Sequence, residues 1–541
     1  MTEWYRTAVF YEAIVRSFQD SNGDGIGDLR GLTDRLDYLQ WLGIDCIWIP
    51  PIFQSPMRDG GYDVADFYAI QPELGTVDDL HNLVDGAHTR GLRVISDLVL
   101  NHTSDAHEWF QRARQPGSPY RDWYVWNDTP DRYPEARIVF LDTEDLNWSW
   151  DETAGAYFWH RFYAHQPDLN FDNPDVRSAM LEVIQHWLSF GFDGFRLDAV
   201  PYLYERDGTD GENLPETHQF LKEVRSLVDR EFPDAVLLSE ANQWPEDVIE
   251  YFGDGDECHM NFHFPVMPRL YMGLARRHAD DIRSILAATP DLPPGGQWGV
   301  FLRNHDELTL EMVTDEDRQF MWDYFAPDPT MRLNLGIRRR LAPLLDGDRR
   351  SIELLHGVLL SLPGSPVLYY GDEIGMGDDL TLPDRDGVRT PMQWTDAPGA
   401  GFSAAHPDAF SLPLVSTEGF RPTDVNVAKQ RSEPGSLLNW LRTMLEARRT
   451  RPEMGLGSFE VLDAGNAAIL AYSRVLEDRV TLVLANFERE TQHARIAGPQ
   501  LEGRVAIDIT TGDRLVEAGS DPFEMNLGAL EFRWLELAPG A

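Results

Sequence analysis

The run Arg93-Val94-Ile95-Ser96-Asp97-Leu98-Val99-Leu100-Asn101 is almost continuously apolar, and it follows Val77–Arg90, where apolar residues recur at helical spacing. An unbroken apolar strand next to an amphipathic helix belongs in a parallel sheet covered by helices. Outward from this unit the pattern repeats. Val9–Ile14, Cys46–Ile52, Gly194–Val200, Ala235–Ala241, His259–Phe264, Trp298–His305 and Pro366–Glu373 are further strand-like runs, with helical patterns over Thr33–Leu42, Pro174–Ser189 and Phe220–Glu231. Eight strands alternating with helices predict a (β/α)8 TIM barrel, an α/β fold.

A barrel of this kind needs about 250 residues, so this one carries insertions. Residues 103–165 are rich in Trp, Tyr, Asp and Pro without a sustained period and read as an inserted, irregular subdomain after strand three. The barrel then occupies 1–102 and 166–451, with a second subdomain at about 375–417 after strand eight. From 452 to 541 the helical pattern stops. Phe459–Leu462, Ala467–Val475, Val480–Phe487, Arg504–Ile509 and Glu531–Leu537 predict a C-terminal all-β sandwich.

The chain has 541 residues, 42% of them hydrophobic and 25% charged, which suits a large buried core and excludes disorder as the dominant state. Its 90 acidic residues outnumber the 47 basic ones, a formal net charge of −43. Such a surface repels nucleic-acid phosphates and anionic membranes, and favours neutral substrates and bound cations. Neither a leader pattern over Met1–Phe10 nor a spanning apolar run is visible, so a cytoplasmic enzyme is expected. Cys46 and Cys258 fall on predicted strands two and six, across the ring from each other, and are expected to be free thiols. The absence of a phosphate loop or nucleotide fingerprint predicts no organic cofactor.

In a barrel, polar residues at the C-terminal ends of strands face the active site. Here strand three ends in Asp97 and Asn101-His102, strand four in Arg196-Leu197-Asp198, strand five in Glu240-Ala241-Asn242, and strand seven in Asn304-His305-Asp306. One such residue alone reads as a helix cap or a surface charge; four strands with the same feature at the same end do not. Converging carboxylates without a cysteine nucleophile fit glycoside chemistry, which uses one ionised carboxylate and one protonated carboxyl. Arg196 shares a strand face with Asp198 and is expected to keep it ionised. Glu240, after Leu237 and Leu238 and before Trp244, is expected to be raised by partial desolvation.

Asp20-Ser21-Asn22-Gly23-Asp24-Gly25-Ile26-Gly27-Asp28 resembles a calcium loop, with Asp20, Asn22, Asp24 and Asp28 at positions 1, 3, 5 and 9 and the Ile26 carbonyl at 7. Position twelve is Gly31 instead of glutamate, so the EF-hand pattern is incomplete.

Asp97–His102, Gly194–Val200, Glu240 with its flanks and Arg303–Asp306 resemble the four signature regions of the α-amylase superfamily, glycoside hydrolase family 13. Gln166–Asn170 resembles its fifth region, and Gly61-Tyr62-Asp63 its early substrate-binding motif. The resemblance spans essentially the whole chain. It implies Asp198 as nucleophile, Glu240 as acid/base and Asp306 as transition-state stabiliser. It implies Asp63, His102, Gln166, Arg196, His305 and Arg389 as substrate-binding residues. It implies one Ca2+ or Mg2+ in the first loop, and a second ion at Asn101 and Asp168, completed by Tyr202, Leu203 and Glu205.

Glu212–His218, Glu240–Pro245 and Asn304–Glu311 are similar to the branch of the family that interconverts maltose and trehalose. That branch implies reversible, retaining, intramolecular transglucosylation with some hydrolysis to glucose; the alternative is an α-glucosidase or oligo-1,6-glucosidase. Tyr202 and Glu307 are expected to hydrogen-bond across the pocket entrance. The implied partners are maltose, trehalose and glucose, further copies of the chain in a dimer or tetramer, and a separate maltokinase.

Overall fold

The computed structural model describes residues 3–498, 501, 504–518 and 522–539; the predicted outer limits at 1 and 541 lie outside them. Eight strands form a closed barrel: β1 Phe10–Glu12, β2 Cys46–Ile49, β3 Arg93–Val99, β4 Gly194–Asp198, β5 Val236–Ser239, β6 Met260–Phe262, β7 Gln297–Phe301 and β8 Ser365–Tyr369. Each pairs in parallel with its neighbours in chain order, and β8 closes onto β1. These are the eight predicted runs, all but β7 and β8 falling within the predicted limits, and those two beginning one residue earlier, at Gln297 and Ser365. Val94, Ile95, Leu98 and Val99 of β3 are fully buried, as an apolar strand inside a ring of helices must be.

The helices start and stop where the local chemistry directs. The predicted helix over 33–42 is two pieces, α1 Leu29–Asp34 and α2 Leu36–Leu42, because Arg35 leaves the helical region. In α3, Val77–Thr89, Thr76 and Asp79 form a reciprocal capping box. In α4, Pro174–Phe190, Asn173 caps the N-terminus ahead of Pro174, and Gly191 at φ 126° ends the helix. The α5 helix spans Pro215–Glu231.

The insertion after β3 is more ordered than its sequence suggested. Trp126–Asn127, Trp148–Asp151 and Ala156–Trp159 form a small antiparallel sheet around a buried cluster of Val125, Tyr133, Trp148 and Trp159. The segment between β7 and β8 is an insertion that the strand-and-helix pattern did not reveal. It holds α6, Asp315–Phe325, and a three-stranded sheet of two-residue strands, too short for any periodicity.

The C-terminal unit is a six-stranded antiparallel sheet in the order Ser458–Leu462, Ile469–Leu476, Arg479–Asn486, Phe532–Pro539, Arg504–Asp508, Arg514–Ala518. A ribbon of Gln492–Ile496 and Phe523–Leu527 shares its core through Ile496, Phe523, Leu482 and Leu535. The ribbon and the Arg514–Ala518 edge escaped prediction; the ribbon strands bury few residues each and carry no apolar run. Cys46 on β2 and Cys258 just before β6 are buried free thiols. Among the described residues no helix is long and apolar enough to cross a membrane.

Candidate active site

Parallel register brings the chemistry together at one end of the barrel. Asp97 of β3 lies beside Arg196 of β4, and Val99 beside Asp198. Residues two apart on a strand share a face, so Arg196 and Asp198 both serve the barrel mouth. Arg196 Nη1 is 2.5 Å from Asp198 Oδ1 and 3.1 Å from Asp97 Oδ2, and its Nη2 is 2.5 Å from Glu240 Oε1. The backbone amide of Ala199 donates to Glu240 Oε2 at 3.2 Å. One buried guanidinium therefore holds Asp198 and Glu240 on adjacent nitrogens. Retaining glycosidases keep their two carboxyl groups about 5–5.5 Å apart, and inverting ones need a wider gap for water; the shared guanidinium suits the close pair.

Burial pushes Glu240 up to about 7 and Asp198 up to about 6, with Arg196 opposing in each case. Arg196 thus does not dominate Asp198 as its sequence position suggested, since its charge is divided among three carboxylates. Asp198 remains the more readily ionised of the pair. Asp97, raised by burial to about 6, accepts from Trp48 Nε1 at 2.6 Å and from the Tyr62 hydroxyl.

Asp306 sits differently. His305 Nε2 lies 3.1 Å from its Oδ2, and Arg385 Nε and Arg389 Nη2 lie 3.1 and 3.2 Å from its Oδ1. Burial alone would raise its pKa, but His305 and the two arginines outweigh burial and hold it well below the usual carboxylate range. His102, raised on the end of β3, is pushed by burial down to about 3 and stays neutral.

Asp198, Glu240, Asp306, His102, His305, Tyr202 and Glu307 line one cavity, closed on one side by Val139, Phe140 and Phe162 of the insertion. Arg196 and Arg389 stand behind it, each bonded to a lining carboxylate. Gln166 is a layer further back, with Nε2 2.8 Å from Asp59 Oδ2. Asp63 does not reach the cavity. It is fully buried and accepts from Ser55 Oγ at 2.7 Å and from the amides of Arg58 and Asp59. The turn at Gly60 and Gly61, with φ 60° and 110°, presents Asp59 and Tyr62 to the cavity instead. A Cβ on Gly60 would come within 2.6 Å of Arg389 Nη1, so glycine there makes room for that arginine.

The expected Tyr202–Glu307 hydrogen bond is not made. Tyr202 Oη accepts from Arg137 Nη2 at 2.9 Å, and Glu307 accepts from Arg385 Nε at 2.8 Å and Asn334 Nδ2 at 3.0 Å. Each group has taken a charged donor or a nearer amide in preference to the other. Arg137, from the insertion, also places Nε 2.7 Å from Glu212 Oε1 and Nη1 2.8 Å from Glu311 Oε2. It fastens the insertion to the loops after β4 and β7.

Asp59, Arg137, Arg385 and Glu12 were missed from sequence. Arg385 was legible as a second arginine four residues before Arg389, and Glu12 as the one charge inside the apolar run Val9–Ile14. Arg137 carries no local signal.

In the Asp20–Asp28 loop, Asp20 accepts from the amides of Asn22, Gly23 and Gly25 at 2.7–2.9 Å, and Gly23 and Gly25 take φ of 82° and 94°. The oxygen donors at positions 1, 3, 5, 7 and 9 are those a hard cation takes. Among the described residues no three His, Cys, Asp or Glu side chains cluster closely enough to hold a metal, so an ion here also needs Asn22 and the Ile26 carbonyl. At the second place, burial raises Asp168 to about 8, and burial with Asp168 beside it raises Glu205 well above its usual range. Asn101 Oδ1 and Asp168 Oδ2 are buried without hydrogen-bond partners. Two carboxyl groups held close together, with an idle oxygen on Asp168 and another on the Asn101 amide, fit a hard cation. Tyr202 and Leu203 follow β4 on the turn that leads to Glu205.

Comparison with known proteins places this geometry. The α-amylase catalytic-domain family model matches residues 14–324 and 338–457, and the maltogenic amylase C-terminal domain model matches 459–534. The chain is 57% identical to a trehalose synthase of Pimelobacter sp. (strain R48) over 99% of this chain and 96% of that one. It is 56% identical to a trehalose synthase/amylase of Mycobacterium tuberculosis (strain ATCC 25618 / H37Rv) over 99% and 90%. A probable alpha-glucosidase of Rhizobium meliloti (strain 1021) stands further off, at 34% over 92% of each chain. Among solved structures, a trehalulose synthase mutant in complex with Tris superposes with a TM-score of 0.80 at 28% identity, covering 99% of this chain and 100% of its own.

Proposed function

The chain belongs to the α-amylase family, and on that premise we propose that it interconverts maltose and trehalose by retaining, intramolecular glucosyl transfer. The observation that carries this reading is full-length identity of 57% to an enzyme named for trehalose synthesis, joined to a carboxylate pair bridged by Arg196. Glu240, raised by burial, protonates the glycosidic oxygen of maltose while Asp198 attacks the anomeric carbon. Asp306, kept ionised by His305, Arg385 and Arg389, faces the positive charge that develops on the sugar ring. The glucose released stays in the cavity, under Val139, Phe140 and Phe162, and turns its anomeric hydroxyl toward the glucosyl-enzyme. Glu240, now a base, takes the proton of that hydroxyl, whose oxygen bonds to the anomeric carbon as the bond to Asp198 breaks, giving an α,α-1,1 link and a free Asp198 carboxylate. Water that enters before the turn is complete yields glucose.

Incubation with maltose alone, followed by chromatography, tests the reading. Trehalose as the main product is expected; glucose as the sole product would replace this reading with an α-glucosidase.

Arg137 decides how often water enters. Arg137→Met removes charge-assisted bonds worth about 1.5–3 kcal/mol each in favourable settings from the junction of the insertion and the barrel loops. The residues at the reacting carbon are untouched, so maltose should still be cleaved, with the ratio of glucose to trehalose raised severalfold. A fixed ratio at lower activity would make Arg137 a structural tie only.

We propose further that the chain holds Ca2+, or Mg2+, in the loop of Asp20, Asn22, Asp24, Ile26 and Asp28, with a second ion at Asn101, Asp168 and Glu205 and the Tyr202–Leu203 backbone. The donor chemistry supports the first, and the idle oxygens of Asn101 and Asp168 support the second. EDTA is expected to lower the melting temperature and Ca2+ to restore it. Asp20→Ala should start lower and respond less to EDTA. A wild-type melting temperature indifferent to EDTA would remove both assignments.

A further inference from the structure

Glu12 ends β1, fully buried in an otherwise apolar strand. Its Oε1 lies 2.5 Å from His305 Nδ1, and its Oε2 has no hydrogen-bond partner. The other nitrogen of the ring, Nε2, is 3.1 Å from Asp306 Oδ2. The ring stacks on Tyr62 at 5.2 Å and meets Trp48 edge-on at 5.8 Å, so it cannot turn freely.

A neutral imidazole offers one donor and one acceptor, whereas a carboxylate accepts only. Carboxylates on both nitrogens therefore require two N–H donors. We propose that Glu12 is a positioning residue that keeps His305 a doubly protonated imidazolium aimed at Asp306. A carboxylate with one partner in the barrel wall costs stability that an apolar side chain would not. That cost is explained if the charge is needed to hold a second charge in place.

The charged and titratable groups facing the pair are Asp97 on β3, Asp198 on β4, Glu240 after β5, Tyr369 on β8, Asp372 just after it, Tyr62 over the ring, and Arg385 and Arg389 on the far side of Asp306. Burial alone would make His305 neutral; Asp306 and Glu12 overcome it and hold the ring up to about 10. His305 thus keeps a fixed positive charge against Asp306 and denies that carboxylate a proton. The inference rests on the glucosyl-transfer reading for the role of Asp306, but not for the charge of the ring.

Ring-nitrogen NMR on 15N-histidine-labelled protein tests the charge, with His305→Gln identifying the signal. In wild type both nitrogens should stay protonated to about pH 9, and in Glu12→Gln the titration should fall by about one unit or more. A neutral His305 in wild type near about pH 8 overturns the proposal, even if the variant does not fold. Kinetics tests the role. Glu12→Gln should cut kcat on maltose by about tenfold and add little further loss in a His305→Gln background, whereas structural damage would multiply with it. Multiplied losses overturn the positioning role. Wild type inert on maltose with His305 still an imidazolium would sink the transfer reading and leave the charge assignment standing.

Discussion

Asp198→Asn should abolish turnover of maltose, by about 10⁴-fold or more, because no covalent glucosyl-enzyme can form on an amide. The fold should survive it. Asparagine keeps the size of aspartate and an oxygen toward Arg196 Nη1, where Asp198 Oδ1 now sits at 2.5 Å. Stability should rise near neutral pH. The carboxyl is raised in the fold to about 6, from 3.8 unfolded, so its ionised form is disfavoured by folding and that penalty is present above about 6. Removing the charge removes the penalty. A variant within about tenfold of wild type, a barrier change of only about 1.4 kcal/mol, would mean that another residue carries the covalent intermediate.

Glu240→Gln should cost about 10²–10⁴-fold on maltose and change the shape of the pH profile. In wild type, kcat/KM requires Asp198 ionised and Glu240 protonated, so activity should fall as pH drops below about 6 and again as it rises above about 7. Glutamine cannot titrate, so the alkaline limb should vanish and the acid limb remain. With α-glucosyl fluoride, whose leaving group needs no proton, formation of the glucosyl-enzyme should be far less impaired. An unchanged alkaline limb in the variant would place the general acid elsewhere.

Much of this was legible in the chain because the barrel writes its chemistry in a readable place. Buried parallel strands must be apolar, so Asp97, Asp198 and Glu240 stand out at their ends. What was not legible depends on contacts between distant segments. Arg137 reaches Glu212 and Glu311 across 75 and 174 residues of sequence, and no local pattern encodes that meeting. Asp63 was misplaced for a different reason. The motif around it was correctly located, but which of Asp59, Tyr62 and Asp63 faces inward is set by the left-handed turn at Gly60–Gly61. The small sheets in the insertions were hidden because strands of two residues have no period to read.

Arg196 is one guanidinium shared by Asp97, Asp198 and Glu240, with Asp59 and Asp306 also bordering the same hollow. Asp59, Asp198, Glu240, Asp306, Glu307 and Glu311 line the hollow, while its cations are His305 and Arg385 in the lining and Arg196 and Arg389 behind it, so acidic groups outnumber cations where the sugar ring is to become positive. Such a hollow selects for positive charge before any chemistry occurs. A small polyhydroxylated amine, protonated at neutral pH, presents hydroxyls in place of those of a glucosyl ring and a permanent cation where the sugar has only a transient one. It should bind more tightly than a neutral sugar of equal size and compete with maltose. Its hold should weaken as acid neutralises Asp198 below about pH 6. Assays buffered by such amines should therefore understate the activity of this protein, and assays buffered by phosphate should not.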